Sequence, residues 1–418
     1  MASQEDSASR RGTHERPTGY RRYQPGPVEQ PDLWLQDLRE EMSTDGVPAG
    51  VEVEQLADDE SLTAAPFDPD SMKIYTLNPT VDLLLSRLRE DMIDLAPDFQ
   101  RRAGIWTDVQ QSRLIESLLL RIPVSSFYVA EQDNNEWSVV DGIQRLTAIA
   151  RFMDPDLVGM SRLKLRGLDY LDEFHGFAYE ELSGRLRIRL REAQMVVHVI
   201  QRGTPEAVKF NVFSRINTGG LPLTRQEIRH AMIPGPARAM LADLAESPAF
   251  GAATGYSVAN ERMADREMVL RFLAYRLAPP DDYRQQDFDQ FLANSMHRVN
   301  GLSDQERARQ ARDFRAAMVC AEQIFDVHAF RKCRRDQTRK SPINKALFET
   351  IAVNLADLED VERERLVDRA DKVMDGFFTL MDDWDFERSI SVATGDPKKV
   401  RLRFAAMRQL FVGVLDRD

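Results

Sequence analysis

Apolar segments of two kinds alternate along residues 73–234. Short alternating or continuous apolar runs predict β-strands at 73–77, 93–95, 127–130, 137–140 and 196–200. Apolar residues at helical spacing follow Thr80 and Thr107, residue types that favour helix N-caps, and Thr107 with Gln110 predicts a capping box. The stretch 185–191 alternates like an edge strand, whereas its glutamate and alanine neighbours favour a helix, so both interpretations stay open.

After Pro234 the strand signals stop and helical spacing continues to the end of the chain. Thr224 with Glu227, and Ser303 with Glu306, predict two further capping boxes. The spacing of apolar residues predicts a helical segment over 366–384, and Asp396–Pro397 is expected to open the last helix. We therefore predict an α+β protein, with a mixed α/β domain at 71–234 and an all-helical domain at 235–418.

Residues 1–70 differ from the rest in composition. The first part is rich in Arg, Glu, Ser, Gln and Pro, and the part from Asp32 to Asp70 is acidic, with only short apolar patches. We predict that 1–70 is a disordered or partly docked acidic N-terminal arm. A weak amphipathic helix around residues 34–42 is the alternative to a solvated tail.

Composition narrows the class of protein. Among 418 residues, 43% are hydrophobic and 30% are charged, as in ordinary globular proteins. The sequence contains no run of 18 apolar residues, so we predict no membrane span. The first residues lack an apolar core, so we expect no secretory signal and a cytoplasmic protein with no membrane partner. Cys320 and Cys333 lack the spacing of a zinc site or a disulfide framework. The net charge of −12 argues against non-specific coating of DNA but leaves room for a local basic patch.

The turn from the strand at 137–140 into the next helix carries the clearest chemical signal. Asp141 and Gly142 end the strand, and Arg145 lies in the first turn of the helix that follows. Unpaired backbone N–H groups and the helix dipole attract anions at such a helix start. An arginine can also bind a phosphate through two parallel hydrogen bonds. This turn is therefore a predicted phosphate site.

Two further clusters combine an arginine with an amide or carboxylate close to a predicted helix end. One is Phe99-Gln100-Arg101, followed by Trp106, and the other runs from Phe213 through the glycines 219 and 220 to Arg229. Arginines neutralise phosphate charge, backbone amides cradle oxygens, and Asp, Glu or Asn can hold a hydrated Mg²⁺. The three clusters together suit a polyphosphate.

In this order the clusters resemble the DGQQR-motif family, domains of unknown function that form the N-terminal half of GmrSD-type modification-dependent restriction endonucleases. That family resembles the ParB/sulfiredoxin superfold. The resemblance covers roughly residues 73–415 and rests on Gln-Arg before a tryptophan, Asp-Gly-x-Gln-Arg after a strand, and a segment from Asn217 to Arg229. Ile143 stands where the family has its first glutamine. No motif cysteine is present, so sulfinic acid repair is not expected.

The resemblance implies nucleotide binding and, in some relatives, NTP hydrolysis coupled to nuclease control in antiphage defence. The implied nucleotide-binding residues are Gln100, Arg101, Asp141, Gly142, Gln144, Arg145, Arg215 and Asn217. The implied catalytic residues are Asp141, Arg145 and Glu227. Asp141 and Glu227 are also the expected ligands of Mg²⁺. The expected partners are a nucleoside triphosphate, DNA, and a separate nuclease or effector protein.

Each motif also has a structural interpretation. Asp141–Gly142 is compatible with a plain strand-to-helix cap, and Arg145 with an ion pair to a structural carboxylate. Glu227 is the expected capping partner of Thr224, which competes with a metal role. On this interpretation the chain is a non-enzymatic scaffold that binds nucleic acid or protein, and the loss of Arg145 costs stability. A phosphotransferase is a third hypothesis, which requires an acceptor.

Other chemistry finds less support. The helical half has no paired His-metal spacing, and the chain has neither a P-loop nor a Ser-His-Asp elbow, so an intrinsic HNH nuclease is not expected. One basic stretch is a candidate nucleic-acid surface, with a solvated loop as its alternative. Its residues are Arg331, Lys332, Arg334, Arg335, Arg339 and Lys340.

Overall fold

The computed structural model describes residues 39–42, 48–54, 73–95, 106–132, 135–205, 208–210, 212–213, 223–260, 262–284, 287–335, 337 and 340–416. Strands come first along the chain and helices dominate later, so the predicted α+β class is confirmed. The strands are β1 Glu40–Met42, β2 Pro48–Glu52, β3 Ile74–Leu77, β4 Ile93–Asp94, β5 Phe127–Glu131, β6 Trp137–Asp141 and β7 Val197–Ile200. The helices among them are α1 Val81–Arg89, α2 Asp108–Leu119, α3 Ile143–Met153 and α4 Gly184–Glu192.

Local sequence signals fix the starts of several helices. Thr80 accepts a hydrogen bond from the backbone N–H of Leu83 and caps α1. Thr107 and Gln110 form the predicted capping box at the start of α2. The stretch 185–191 lies in α4, so of its two interpretations the helical one is confirmed.

Five strands form one mixed sheet in the order β3-β7-β5-β6-β4. β3 pairs with β7 and β5 with β6 in antiparallel fashion, whereas β5–β7 and β4–β6 are parallel pairs. β5 and β6, which are consecutive along the chain, therefore form a β-hairpin. Its register shifts between Tyr128 and Val129, since Val129 pairs with Val139 while Tyr128 pairs with Asp141. β6 thus carries one extra residue just before its end, which is the pattern of a β-bulge.

The two faces of this sheet belong to two apolar cores. Phe127, Val129 and Val139 pack against helices α1 to α4 on one face. Ala130, Val140 and Ile200 join the core of the helical half on the other face. Because strand side chains alternate between faces, consecutive residues of β5 serve different cores. The sheet therefore connects the mixed half to the helical half.

The helical half is built around two buried helices. Its helices are α5 Arg225–Met232, α6 Pro236–Ala245, α7 Pro248–Thr254, α8 Ala264–Leu277, α9 Phe288–Gly301, α10 Asp304–Phe325, α11 Lys345–Ala356, α12 Asp360–Asp368, α13 Ala370–Asp382, α14 Trp384–Ser391 and α15 Pro397–Leu415. Every residue of α11 is buried, as are most residues of α8. Helices that are buried on all sides are expected at the centre of a large core, with the other helices packed around them.

The 366–384 segment differs from the sequence prediction. Its apolar spacing continues through three helices, which are separated at Arg369 and at Asp383. Asp383 caps α14 by accepting a hydrogen bond from the N–H of Phe386, and this capping starts a new helix where the apolar pattern alone continues. Trp384 consequently lies at a helix start with 67% of its surface exposed.

The described part of the N-terminal arm is a β-hairpin that docks on the helical half. β1 and β2 are antiparallel, and Gly50 and Glu52 exchange backbone hydrogen bonds with Ile343. Val51 is fully buried in the helical core. Glu40–Met42 is a strand, so the predicted amphipathic helix is wrong there, because pairing with β2 outweighs the weak helical pattern. Residues 34–38 lie outside the described residues.

Three acidic residues of the hairpin region pair with buried cations of the helical half. Glu41 contacts Lys345 at 2.7 Å, Glu52 contacts Lys332 at 2.7 Å, and Glu54 pairs with Arg271. The three cations are each less than a tenth exposed. The acidic composition of this segment therefore serves charge neutralisation in the fold.

No helix among the described residues is long and apolar enough to cross a membrane. Both cysteines are buried, and burial raises the pKa of each thiol to about 12. Because the thiolate is the reactive form, neither residue is suited to redox or nucleophilic chemistry.

Candidate functional site

The turn between β6 and α3 is built around Gly142. This glycine is the N-cap of α3 at φ 100°, a value that side-chain-bearing residues rarely adopt. A Cβ at this position would lie 2.4 Å from Cδ1 of Phe127. No side chain caps the helix, and the first hydrogen bond of α3 runs from Leu146 N–H to the Gly142 carbonyl at 2.9 Å. The helix therefore starts with backbone N–H groups that have no acceptor within the helix.

Asp141 and Arg145 form an ion pair across this turn. Nη2 of Arg145 donates to Oδ2 of Asp141 at 2.7 Å. The Arg145 side chain is 11% exposed and that of Asp141 33% exposed. The guanidinium carbon also lies 5.2 Å from the centroid of the Phe127 ring. Ion pair and ring together fix the guanidinium beside the start of α3.

One nitrogen of this guanidinium is not used. Nη1 of Arg145 is buried and has no hydrogen-bond partner among the described residues. A buried donor without an acceptor costs free energy, on the order of 1–3 kcal/mol, so such atoms are rare in native proteins. An anion that accepts from Nη1 would remove this cost.

Gln144 holds a neighbouring backbone segment. Its Oε1 accepts a hydrogen bond from the backbone N–H of Trp106 at 3.3 Å, and Gln111 donates to the Trp106 carbonyl at 2.8 Å. Gln111 accepts in turn from Arg151, which also pairs with Asp108 at 2.7 Å. The second glutamine position of the motif thus ties the segment before α2 to the start of α3.

Four of the predicted site residues cannot be placed. Gln100, Arg101, Arg215 and Asn217 lie outside the described residues, so their predicted contacts stay predictions. In the sequence, Trp106, which Gln144 holds, follows Arg101 by five residues, and Phe213, which is buried in the core that includes Val140, precedes Arg215 by two.

Glu227 has a structural role in this fold. It is 1% exposed, closes the capping box with Thr224 at the start of α5, and pairs with Arg262 at 2.9 Å. Burial raises the pKa of its carboxyl, although Arg262 acts in the opposite direction. The cap and the ion pair both use Oε2 of Glu227, so this residue supports the fold, and its predicted roles in catalysis and in binding Mg²⁺ stay predictions. Its Oε1 has no hydrogen-bond partner among the described residues.

The predicted basic surface divides into buried and exposed parts. Arg331 is buried and donates to the carbonyls of Thr254 and Ser341, and Lys332 is buried against Glu52. The nucleic-acid prediction is therefore wrong for these two residues, which serve the fold. Arg335 pairs with Asp375 at 2.7 Å on the surface, and for Arg334, Arg335 and Lys340 the prediction remains open. Arg339 lies outside the described residues.

Sequence reasoning missed the aromatic environment of the turn. Phe127 beneath Arg145 was assigned only to a strand, because its contact with the guanidinium depends on how β5 pairs with β6. Within the described parts of the chain, no group of three or more His, Cys, Asp or Glu side chains is arranged to hold a metal ion.

Fold and turn together define an α+β domain with a strand–Asp-Gly–helix turn suited to an anion. Residues 82–234 match the family model described as "GmrSD restriction endonuclease, N-terminal domain". The chain therefore carries a GmrSD-type N-terminal domain, as the motifs predict. Neither the comparison with curated proteins nor the comparison with solved structures gave a match.

The substitution Gly142→Ala tests the turn. We expect it to lower the free energy of unfolding by about 2 kcal/mol or more, because it adds strain at positive φ and a clash with Phe127. Urea denaturation measures the loss. Gly159→Ala is the matched control, since Gly159 also has positive φ (58°) but open space around its Cβ position. Equal losses in the two variants would mean that Phe127 does not constrain the turn.

Proposed function

We propose that this domain binds nucleoside triphosphates at the turn between β6 and α3, and that it is a Mg²⁺-dependent NTPase switch. The observation that carries the proposal is the buried Nη1 of Arg145 at the start of α3, which has no hydrogen-bond partner among the described residues. A phosphate group offers acceptor oxygens to an arginine and to the N-terminal end of a helix at once. The family match supports the proposal because it covers this turn.

Asp141 has two roles in this proposal. It orients the Arg145 guanidinium through Nη2, so that Nη1 is left for the ligand. It is also a partly exposed carboxylate next to a phosphate position, which suits a Mg²⁺ ion that is shared with the phosphate oxygens. Gln144 contributes by holding the segment at Trp106, which follows Gln100 and Arg101 along the chain.

The description of the matching family model supports a proposal about how this domain acts in a restriction system. We propose that nucleotide binding or hydrolysis controls the binding of this protein to DNA or to a separate nuclease, as in a modification-dependent restriction system. Phosphotransfer is a less supported variant, because it requires an acceptor that neither the sequence nor the fold identifies.

The alternative function is a non-enzymatic scaffold that binds nucleic acid or protein. It is favoured by one observation, namely that Arg145 already pairs with Asp141 inside the same motif. On this hypothesis the pair stabilises the turn and no nucleotide binds. The two hypotheses differ in what the loss of Arg145 changes: nucleotide affinity in the first, stability alone in the second.

The test is the binding and hydrolysis of the four NTPs with Mg²⁺ by wild type and by Arg145→Ala. We expect Arg145→Ala to weaken binding by about 2 kcal/mol or more, because one charge-assisted contact is lost. Arg145→Lys should recover only part of the affinity, since a lysine cannot pair with Asp141 and with a phosphate in the fixed fork of a guanidinium. Isothermal titration calorimetry gives the affinity, and phosphate release gives the turnover.

Arg89→Ala is the matched control. Arg89 also pairs with an aspartate at 2.7 Å, Asp154, but it is 53% exposed and lies outside the turn. Its loss should leave nucleotide binding unchanged and cost little stability. If wild type binds no NTP, the nucleotide-binding proposal is overturned and the scaffold takes its place.

A further inference from the structure

Helix α4 carries a high concentration of positive charge. It has arginines at positions 185, 187, 189 and 191 and a single acidic residue, Glu192. The whole chain has a net charge of −12, so this helix has the opposite sign to the protein as a whole. Arg185, Arg187 and Arg191 are exposed, and the helix buries Leu190. α4 is therefore a basic surface helix on an acidic protein.

Part of this charge opposes the stability of the helix. Arginines at 185 and 189, and at 187 and 191, are four positions apart, where like charges repel each other on a helix surface. The first turn contains Arg185 and no acidic residue, although the helix dipole favours a negative charge there. α1 has the favourable pattern, with Asp82 in its first turn and arginines in its last. Helix stability therefore does not explain the arginines of α4.

Two of these four arginines have a partner in the fold and two do not. Arg191 pairs with Asp82 at 3.0 Å, and Nη1 of Arg189 donates to the last carbonyl of α2 at 2.9 Å. The side chains of Arg185 and Arg187 have neither a hydrogen bond nor an ion pair within the described parts of the chain. Both are exposed, so their guanidinium groups are accessible to a ligand from outside.

Two other helices of this protein balance their exposed charges. α12 has the same length as α4, mixes acidic and basic residues, and pairs Arg363 with Asp360 three positions earlier. α10 pairs Arg307 with Asp304 in the same way. A helix whose arginines lack such acids is expected where an external anion supplies the counter-charge.

A second row of cations continues this surface. Exposed and buried residues alternate over 162–166, where Arg162, Lys164 and Arg166 are exposed and the two leucines between them are fully buried. A hydrogen bond from Arg162 lowers the pKa of Glu180, and the charge of Arg187 lowers it further. Because cations from both rows act on this one carboxylate, the rows belong to the same surface. We call this region the α4 surface, formed by Arg162, Lys164, Arg185, Arg187 and Arg191.

We infer that the α4 surface binds the phosphate backbone of double-stranded DNA. This inference rests on the proposed function for the choice of DNA as a partner, and it assigns the surface that meets the DNA. A guanidinium donates parallel hydrogen bonds to a phosphate, and each phosphate that is neutralised adds affinity through the release of counterions.

The observations favour DNA over an acidic protein as the partner of this surface. Ile188 is the large apolar side chain that α4 exposes, and one such residue is too little for the apolar centre of a protein interface. DNA offers a regular array of phosphates to a row of arginines. The acidic protein as a whole repels DNA, which directs the contact to the basic α4 surface.

Binding of a short fluorescent DNA duplex of mixed sequence tests the inference. Fluorescence anisotropy measures the affinity of the full chain at several salt concentrations, with and without ATP or GTP and Mg²⁺. Arg185→Ala/Arg187→Ala should weaken binding about tenfold or more at about 0.1 M salt, because two phosphate contacts are lost. The plot of log affinity against log salt should become shallower by about two. Arg185→Lys/Arg187→Lys keeps both charges and should keep this slope.

Three further measurements keep the result interpretable. Arg309→Ala/Arg312→Ala removes two exposed arginines of α10 and should bind the duplex like wild type. Arg334→Ala/Arg335→Ala removes two cations of the basic stretch at 331–340, and it should also bind like wild type. Circular dichroism melts show that each variant is folded, and the NTP affinity of Arg185→Ala/Arg187→Ala should equal that of wild type.

The outcomes separate this inference from nucleotide binding at Arg145. Wild type that binds NTPs but no duplex in either condition overturns the inference alone. Wild type that binds the duplex through α4 but binds no NTP supports the inference and overturns the nucleotide proposal. A folded Arg185→Ala/Arg187→Ala variant with wild-type affinity and salt slope overturns the inference. So does poly-L-glutamate that binds at α4 when the duplex does not, because the partner would then be an acidic protein.

Discussion

Glu52→Gln should destabilise the protein by about 3–5 kcal/mol, because it leaves the buried ammonium group of Lys332 without its main counter-charge. Glu52 and Lys332 are 8% and 5% exposed, and their ion pair measures 2.7 Å. The remaining carboxylate, on Glu387, is 3.8 Å from Lys332 and 45% exposed, so it compensates only weakly. Glu52 also accepts a hydrogen bond from Asn344 at 2.9 Å, which the glutamine side chain can preserve.

Urea denaturation of Glu52→Gln, Lys332→Met and the double variant measures this coupling. The double variant should recover much of the loss, because replacing a whole buried pair with less polar groups is often nearly neutral. Asp243→Asn removes one partner of the exposed Arg315 pair and should cost less than 1 kcal/mol. A loss below 1 kcal/mol for Glu52→Gln would mean that the hairpin is not part of the stable fold.

This prediction changes the interpretation of the N-terminal arm. Sequence composition indicated an acidic, weakly apolar segment, but composition cannot tell which carboxylates meet cations 200 and more residues away. The bond from Lys332 to Glu52 spans 280 positions, and the bond from Asn344 to Glu52 spans 292. Contacts of this separation depend on the whole fold, so a local pattern does not contain them.

Local signals, by contrast, predicted the local structure well. The capping boxes at Thr107, Thr224 and Ser303 are all present, because a cap needs only residues three positions apart. The 366–384 pattern failed at its two breaks, since apolar spacing continues through a helix boundary when consecutive helices pack on the same core.

In the predicted site, too, the sequence predicts the local features but not the contacts between distant segments. The turn at Gly142 and the helix beginning at Ile143 follow from the sequence, as does a position for Arg145 in the first turn of that helix. The bulge in β6, the ring of Phe127 beneath Arg145 and the stacking of Tyr128 on His198 depend on strand register. A one-residue change of register places different side chains together, and the sequence of a single strand does not specify it.

The second large effect on stability is expected at Glu267, a carboxylate that contacts three buried cations. It lies 3.0 Å from Arg271, 3.4 Å from Lys345 and 3.7 Å from Arg229. Burial alone would raise the pKa of Glu267, but Lys345, Arg271 and Arg229 outweigh it and hold the pKa well below its ordinary value. Glu267→Gln removes this counter-charge and should cost about 3 kcal/mol or more at pH 7.

The lowered pKa of Glu267 also predicts how its contribution to stability changes with pH. Because the pKa of Glu267 is lower in the folded state, its stabilising effect is complete above the unfolded value of about 4.5 and is lost as pH falls towards the folded value. The difference in unfolding free energy between wild type and Glu267→Gln should therefore be largest near pH 7 and shrink below about pH 4.5. Urea titrations from pH 7 to pH 3 measure it, with exposed Glu364→Gln as the control. A difference that stays constant over this range would show that Glu267 acts through packing and not through its charge.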